Sequence, residues 1–145
     1  MSQSIAFKEL LETLVGMNGA FVFYNAHGAM ELRGADFYMS PSTDWLTVYH
    51  TEVSNPESRS HVHLRWRTFQ SADIVEEEGQ TPHLAFSTSP KAADDPQLVW
   101  YFPSFYDWSN NKAEIPANIA QYDDFVLRYG AHLRFVAPDT NVGKD

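Results

Sequence analysis

The chain has 145 residues, of which 43% are hydrophobic and 14% aromatic, so we expect one globular domain over residues 1–145 with a sizeable core. Nineteen acidic against ten basic residues give a net charge of −9, which argues against binding to nucleic acid or to an anionic membrane surface. The lack of cysteine excludes disulfides, thiolate catalysis and zinc–thiolate sites.

The sequence also argues against a membrane location. It contains no apolar run of the roughly 18 residues that read as a transmembrane helix. The N-terminus continues into a charged amphipathic segment, which does not fit a signal peptide. We therefore expect a cytoplasmic protein that neither spans nor binds a membrane.

The N-terminal part predicts a helix followed by strands. A helix is expected over residues 4–15, capped by Ser4 and ended by Gly16 in the left-handed conformation. Its apolar positions recur at i, i+3, i+4 and i+7: Phe7, Leu10, Leu11 and Leu14. Residues 20–25 and 29–34 predict a β-hairpin joined through residues 26–28. Residues 36–44 predict a loop, and residues 45–50 a third strand.

The second half predicts more strands and a final helix. Turn-forming residues at 54–58 precede a strand over 60–69, and residues 71–76 and 83–88 flank a turn. A polar loop at 90–96 leads into an apolar strand at 98–102. Pro116 and Gly130 delimit a C-terminal helix. With about seven strands and short connections, the sequence predicts an α+β fold, a large antiparallel sheet flanked by N- and C-terminal helices.

The strand over residues 60–69 is the first place to look for a ligand site. If its side chains alternate, one face carries His61, His63, Arg65 and Arg67. Imidazole binds metal ions or haem iron, and guanidinium binds carboxylates or phosphates. The same alternation describes any half-solvated antiparallel strand, so the pattern alone leaves both interpretations open. The other histidines, among them His27 and His83, are expected to be structural or exposed.

Two segments resemble a known family. Residues 22–34 read Val-Phe-Tyr-Asn-Ala-His-Gly-Ala-Met-Glu-Leu-Arg-Gly. This string resembles a family segment in which a strand with Leu-Val-His-Thr leads to a strand ending in Glu-x-x-Gly, matched here by Glu31 and Gly34. Residues 60–62 (Ser-His-Val) resemble the family's Gly-His-Ile. The chain is thus similar to the haem-iron-utilisation family of the ChuX/HutX type, which is related to the HemS-like haem carriers.

The resemblance implies a sheet-and-helix unit that pairs with a second copy as a homodimer, and a haem pocket near the sheet. His61 matches the pocket histidine of the Gly-His-Ile string. The family's other histidine falls on Tyr24, a departure that retains a possible iron ligand because tyrosine phenolate binds ferric haem. A buried strand tyrosine is equally ordinary.

The leading hypothesis is therefore a haem-binding protein of the utilisation or trafficking type. His61, with His63 as substitute, would supply the iron ligand, Tyr24 would lie on or near the opposite face, and the propionates would pair with Arg65, Arg67 or Arg33.

Two other classes of function stay open. One is an enzyme, either a haem-degrading enzyme or a metal-dependent enzyme that uses His61 and His63 with His50 or Glu52. The other is a non-catalytic dimeric interaction module whose aromatic segment, residues 100–108, forms an interface.

Overall fold

The computed structural model describes residues 3–25, 27–51, 60–88 and 98–136. These residues form two helices, one single-turn 3-10 helix at Trp66–Thr68 and a set of short strands. In chain order the elements are β1 (Gln3–Ile5), α1 (Phe7–Val15), β2 (Ala20–Asn25), β3 (Gly28–Arg33), β4 (Ala35–Met39), β5 (Trp45–His50), β6 (His61–Arg65), β7 (Ser71–Val75), β8 (His83–Ser87), β9 (Leu98–Tyr101), β10 (Tyr106–Asp107), β11 (Ala113–Glu114), α2 (Pro116–Tyr129) and β12 (His132–Phe135).

The strands form one main sheet and two smaller ones. The main sheet has the order β1-β12-β7-β8-β9-β2-β3, and its neighbours are antiparallel except for the parallel pair β1 and β12. Strands β4, β5 and β6 form a second antiparallel sheet, and β10 pairs with β11. The predicted α+β class, with a large antiparallel sheet and two helices, is confirmed.

The core lies between one face of the main sheet, the two helices and the second sheet, which contributes Leu46 and Val48. Side chains on that face alternate with residues such as Tyr101 on the opposite face. The side chains that the main sheet contributes to the core include Phe21, Leu84, Phe86, Leu98, Trp100 and Leu133. The helices add the leucines of α1 and the aromatic residues of α2, all nearly inaccessible to solvent.

Helix α2 follows its sequence signals closely. Pro116 occupies its first turn, and Gly130 adopts a left-handed φ of 77° just beyond its last residue, where its N–H donates to the Val126 carbonyl. Tyr129 ties this helix to α1, because its hydroxyl lies 2.8 Å from Thr13 Oγ1. Neither α1 nor α2 has the length and apolar composition needed to cross a membrane.

The N-terminal helix was predicted too long. It begins at Phe7 with Ala6 as its N-cap, and Ser4 lies in β1, so the predicted Ser4 cap is wrong. The local pattern missed β1 because this strand depends on pairing with β12, more than 120 residues away in sequence. Gly16 has a φ of −76°, so the predicted left-handed end is also wrong.

The predicted loop at residues 36–44 contains a strand. Residues 35–39 form β4, whose Asp36 and Tyr38 are exposed while Phe37 and Met39 are half-buried. This alternation was present in the sequence but was obscured by the turn-forming residues that follow it. Gly34, with a φ of 67°, leads the chain from β3 into β4, and its carbonyl accepts bonds from the N–H and hydroxyl of Thr51. The predicted turn at residues 54–58 and loop at 90–96 lie outside the described residues.

The aromatic segment at residues 100–108 divides between core and surface. Trp100 and Phe102 are 1% and 2% exposed, and their rings lie 4.8 Å apart in the core. Tyr101 and Trp108 are exposed. Most of the segment's apolar area therefore supports the fold rather than a free surface.

Candidate functional site

Strand β6 has two chemically different faces, as predicted. His61, His63 and Arg65 are exposed, whereas Val62 and Leu64 between them are half-buried. The strand ends at Arg65, so the predicted continuation through Arg67 and residue 69 is wrong. Trp66 instead turns into the core, where it is 7% exposed and its ring lies 6.0 Å from that of Phe7.

The exposed side of the second sheet, which we call the outer face, brings three of the predicted site residues together. The pairing of β5 with β6 sets Tyr49 opposite His61, Thr47 opposite His63 and Trp45 opposite Arg65. The rings of His61 and His63 lie 5.0 Å apart, and His63 Nδ1 is 3.0 Å from Thr47 Oγ1. The Arg65 guanidinium lies 4.4 Å above the Trp45 ring and 3.6 Å from Asp44 Oδ2.

The other two predicted arginines lie elsewhere. Arg67, on the 3-10 turn, lies 5.0 Å from the centre of the Trp66 ring. Arg33 is at the end of β3, where it bonds Glu31 and the carbonyl of Asn18. The four residues predicted on one strand face, together with Arg33, are thus divided among three places.

The described residues of the outer face do not by themselves provide a complete metal site. No group of three His, Asp or Glu side chains suited to a metal ion occurs within residues 3–25, 27–51, 60–88 and 98–136. His50 follows Tyr49 in β5 and so projects to the face opposite His61. Glu52, the other predicted third ligand, lies outside the described residues.

A cleft opens on the other side of β6. It has a volume of about 590 Å³ and lies between the β2–β3 hairpin and β6. Strand alternation explains its composition, since Phe23 and Met30 are cross-strand partners on the same face of the main sheet. Its apolar walls comprise Phe23, Met30, Val62, Leu64, Phe69 and Leu98. Val62 and Leu64, and not His61 and His63, therefore line this cleft.

Polar groups gather at the hairpin end of the cleft. Tyr24, Asn25 and His27 border it, and Asn25 Oδ1 accepts a bond of 2.7 Å from the His27 backbone N–H. Tyr24 was among the predicted site residues, but His27 was expected only to be exposed. The sequence already indicated that His27 lies near Tyr24, because a tight hairpin brings the residues before and after its turn to the same end of the sheet.

The cleft differs electrostatically from the predicted site. No lysine or arginine is among the described residues that line it. Arg65 lies on the outer face, and Arg33 borders a separate groove with Val22 and Tyr101. The arrangement suits an apolar ligand whose charged groups reach solvent rather than a buried anion.

Perturbed pKa values occur away from the cleft. Burial lowers the pKa of His83, while the nearby Glu77 opposes the shift. Burial also raises the pKa of Tyr122 in α2. Neither residue borders the cleft. We therefore attribute both pKa shifts to burial within the fold and not to a catalytic role at the cleft.

Comparison with known proteins shows similarity at the level of fold. No protein-family model matches the sequence, and no curated protein sequence is significantly similar. The solved structures of ChuX and of protein AGR_C_4470 from Agrobacterium tumefaciens both match with a TM-score of 0.60 over 85% of this chain. Identity is 8% to ChuX and 12% to the Agrobacterium protein, and the match spans 71% and 66% of their respective lengths. The chain therefore has a fold similar to that of ChuX.

Proposed function

We propose that the protein binds haem or a related tetrapyrrole in the cleft between the β2–β3 hairpin and β6. The observation that carries the proposal is an apolar cleft of about 590 Å³ in a fold similar to that of ChuX. Sites for small molecules and cofactors are concave, largely apolar and about 300–1,000 Å³ in volume. The cleft falls in this range, and its composition supports a ligand held mainly by apolar burial.

The polar residues at the cleft fit haem. Ferric iron in haem accepts an axial ligand, and tyrosine phenolate and histidine imidazole both serve in that role. His27, on the hairpin turn at the end of the cleft, is the ligand that we assign. Tyr24 borders the same end, but alternation along β2 directs its side chain to the face opposite Phe23. Phe23 and Met30 offer apolar contact to the ring system.

In a second arrangement, the iron ligand is the histidine that the sequence resemblance implies. In it, haem lies on the outer face with His61 or His63 as iron ligand and Arg65 paired with a propionate. Trp45, 40% exposed, would then provide the aromatic contact. His61, His63 and Arg65 are exposed, so a porphyrin on the outer face would lose less of its apolar surface to burial, and we favour the cleft.

A hemin titration followed by Soret absorbance tests the proposal and separates the two arrangements. The variants are Tyr24→Phe, His27→Ala and His61→Ala, with His132→Ala as a control for loss of an exposed imidazole on the main sheet. The cleft arrangement predicts saturable binding that His27→Ala weakens and that Tyr24→Phe and His61→Ala leave unchanged. Weakening by His61→Ala alone would favour the outer face. No saturable binding would refute the function.

Two further proposals follow from the family resemblance and the composition. The protein is a homodimer, and it acts in the cytoplasm as a carrier rather than as an enzyme. Sedimentation velocity at micromolar concentration distinguishes dimer from monomer. Incubation of the hemin complex with a reductant and oxygen tests the carrier role, because a degrading enzyme would lose its Soret band with turnover and a carrier would retain it.

A further inference from the structure

A second and smaller pocket lies at the corner where α1, the 3-10 turn and β12 meet. We call it the corner pocket. It has a volume of about 220 Å³, and its lining comprises Phe7, Trp66, Arg67, Phe69, Gln70, Arg134, Phe135 and Val136. No sequence motif predicts this pocket, because its residues come from three distant parts of the chain.

Aromatic rings form the inner wall of the corner pocket. The ring of Phe7 is stacked with that of Phe69 at 5.9 Å and meets that of Phe135 edge-on at 4.9 Å. Phe7 and Trp66 are 4% and 7% exposed, so the wall is fixed by core packing. A cavity of about 150 Å³ lined by apolar side chains is large enough for benzene. The corner pocket therefore has room for one aromatic ring with a small substituent.

Backbone hydrogen bonds hold the pocket in shape. Gln70 donates its N–H to the Ser87 carbonyl at 2.8 Å and accepts the Phe135 N–H at 2.9 Å. The Val136 N–H donates to the Ile5 carbonyl at 3.0 Å. Because the main-chain groups of these strands are satisfied by one another, ligand recognition falls to the side chains.

Two arginines border this pocket, and Arg67 supplies its charge. Arg67 has no carboxylate partner among the residues that the structure describes, in a chain with nineteen acidic and only ten basic residues. Alternation along β12 directs the Arg134 side chain to the face opposite Leu133 and Phe135, away from the aromatic wall. The indole N–H of Trp66 is buried without an acceptor in the described residues, so the corner also has an unmet donor.

We infer that the corner pocket binds a small planar carboxylic acid, with its ring against Phe7 and Phe69 and its carboxylate on the Arg67 guanidinium. Guanidinium is the side-chain group best suited to a carboxylate, because it offers several N–H donors in a planar fork. Arg67 also lies over the Trp66 ring, which orients it at the pocket edge. The site is distinct from the cleft proposed for haem, although Phe69 lines both.

Benzoate is the probe that tests the inference, with benzamide as its neutral counterpart of similar shape. Binding is followed in NMR spectra through the indole N–H signals of the four tryptophans. The Trp66→Phe variant assigns the signal of Trp66. We expect the Trp66 signal to shift saturably with benzoate, at a half-saturating concentration of roughly 1 mM or below, and to shift little with benzamide.

Charge-removing variants locate the carboxylate. Arg67→Gln should weaken benzoate binding about tenfold, as expected for loss of a charge-assisted hydrogen bond. Arg134→Gln should weaken it little, because the Arg134 side chain lies on the other face of the main sheet. Arg128→Gln is the matched control, because Arg128 is an exposed arginine of α2 that is stacked on an aromatic ring but lies outside the pocket. Non-saturable shifts, equal shifts with benzamide, or equal losses in all three variants would overturn the inference. Hemin binding is measured in the same variants, so failure of this site is distinguishable from failure of the cleft.

Discussion

His61 and Val62 are neighbours in β6 but serve opposite faces of the second sheet. The ring of His61 lies 5.0 Å from that of His63 on the outer face, whereas Val62 lines the cleft. Because side chains alternate along a strand, one residue of shift exchanges the two faces. The motif centred on His61 therefore lies on a strand that borders the proposed cleft, but His61 itself is on the other face of that strand.

Substitution of Met30 by glutamate tests the cleft directly. Met30 is 42% exposed and lines the cleft, so Met30→Glu should leave the free energy of unfolding within about 0.5 kcal/mol of wild type. It should weaken hemin binding about tenfold or more, because the carboxylate would be buried against an apolar and anionic ligand. Soret titrations provide the affinity.

Tyr38→Glu is the matched control for that variant. Tyr38 is 54% exposed on β4, and it shares the outer face with Thr47 and His63 through cross-strand pairing. Hemin affinity should be unchanged in Tyr38→Glu if the ligand occupies the cleft. The reverse result, weakening by Tyr38→Glu and not by Met30→Glu, would move the ligand to the outer face.

Most of the local structure can be predicted from the sequence, but only part of the main sheet can. The β2–β3 hairpin, α2 and the apolar strand β9 were predictable because periodicity and turn residues act over a few positions. Strands β1 and β12 were not, since each is short and depends on pairing with a distant segment. The antiparallel sheet could thus be inferred, but its edge could not.

The same difference between local patterns and long-range packing explains which candidate site residues could be predicted from the sequence. Alternation correctly placed His61, His63 and Arg65 on one face. It failed at Arg67, because the demand to bury the Trp66 ring against Phe7 ends the strand. No local pattern reveals that Arg67 and Phe135 border one pocket, since that proximity arises only from packing of the 3-10 turn beside β12.

Gly19 should be required for packing between the turn after α1 and β9. A Cβ atom at this position would overlap the indole ring of Trp100 and the carbonyl oxygen of Tyr101. Trp100 is 1% exposed and cannot easily move, so Gly19→Ala should lower the free energy of unfolding by about 3 kcal/mol. Gly28→Ala is the control, because a Cβ there has open space. Urea unfolding of both variants would contradict this account if their midpoints fell equally.

His83 should make the protein less stable in mild acid. Burial lowers its pKa below the usual 6.5, so the folded protein takes up this proton less readily than the unfolded chain. Stability is therefore highest above about pH 6.5 and falls as the pH drops toward the lowered value, because protonation favours the unfolded state.

The substitution His83→Gln removes the loss of stability that protonation of His83 causes. The difference in urea midpoint between pH 7.5 and pH 5.5 should be smaller in His83→Gln than in wild type. Other titrating groups are common to both proteins, so the comparison isolates His83. An unchanged or larger difference would mean that the imidazole, which lies 5.0 Å from the Tyr101 ring, does not resist protonation in the folded state.

The outer face should bind a divalent transition metal weakly and without a defined third protein ligand. His61 and His63 are two positions apart with rings 5.0 Å from each other, and the bond between His63 Nδ1 and Thr47 leaves Nε2 for a metal. Two imidazoles chelate ions such as Ni²⁺, but the described residues offer no group of three ligands. Calorimetric titration with Ni²⁺ should give one site per chain, weakened about tenfold by His61→Ala or His63→Ala and unaffected by His132→Ala. Tight binding that survives both substitutions would instead place the metal ligands elsewhere and revive the metal-dependent enzyme as a function.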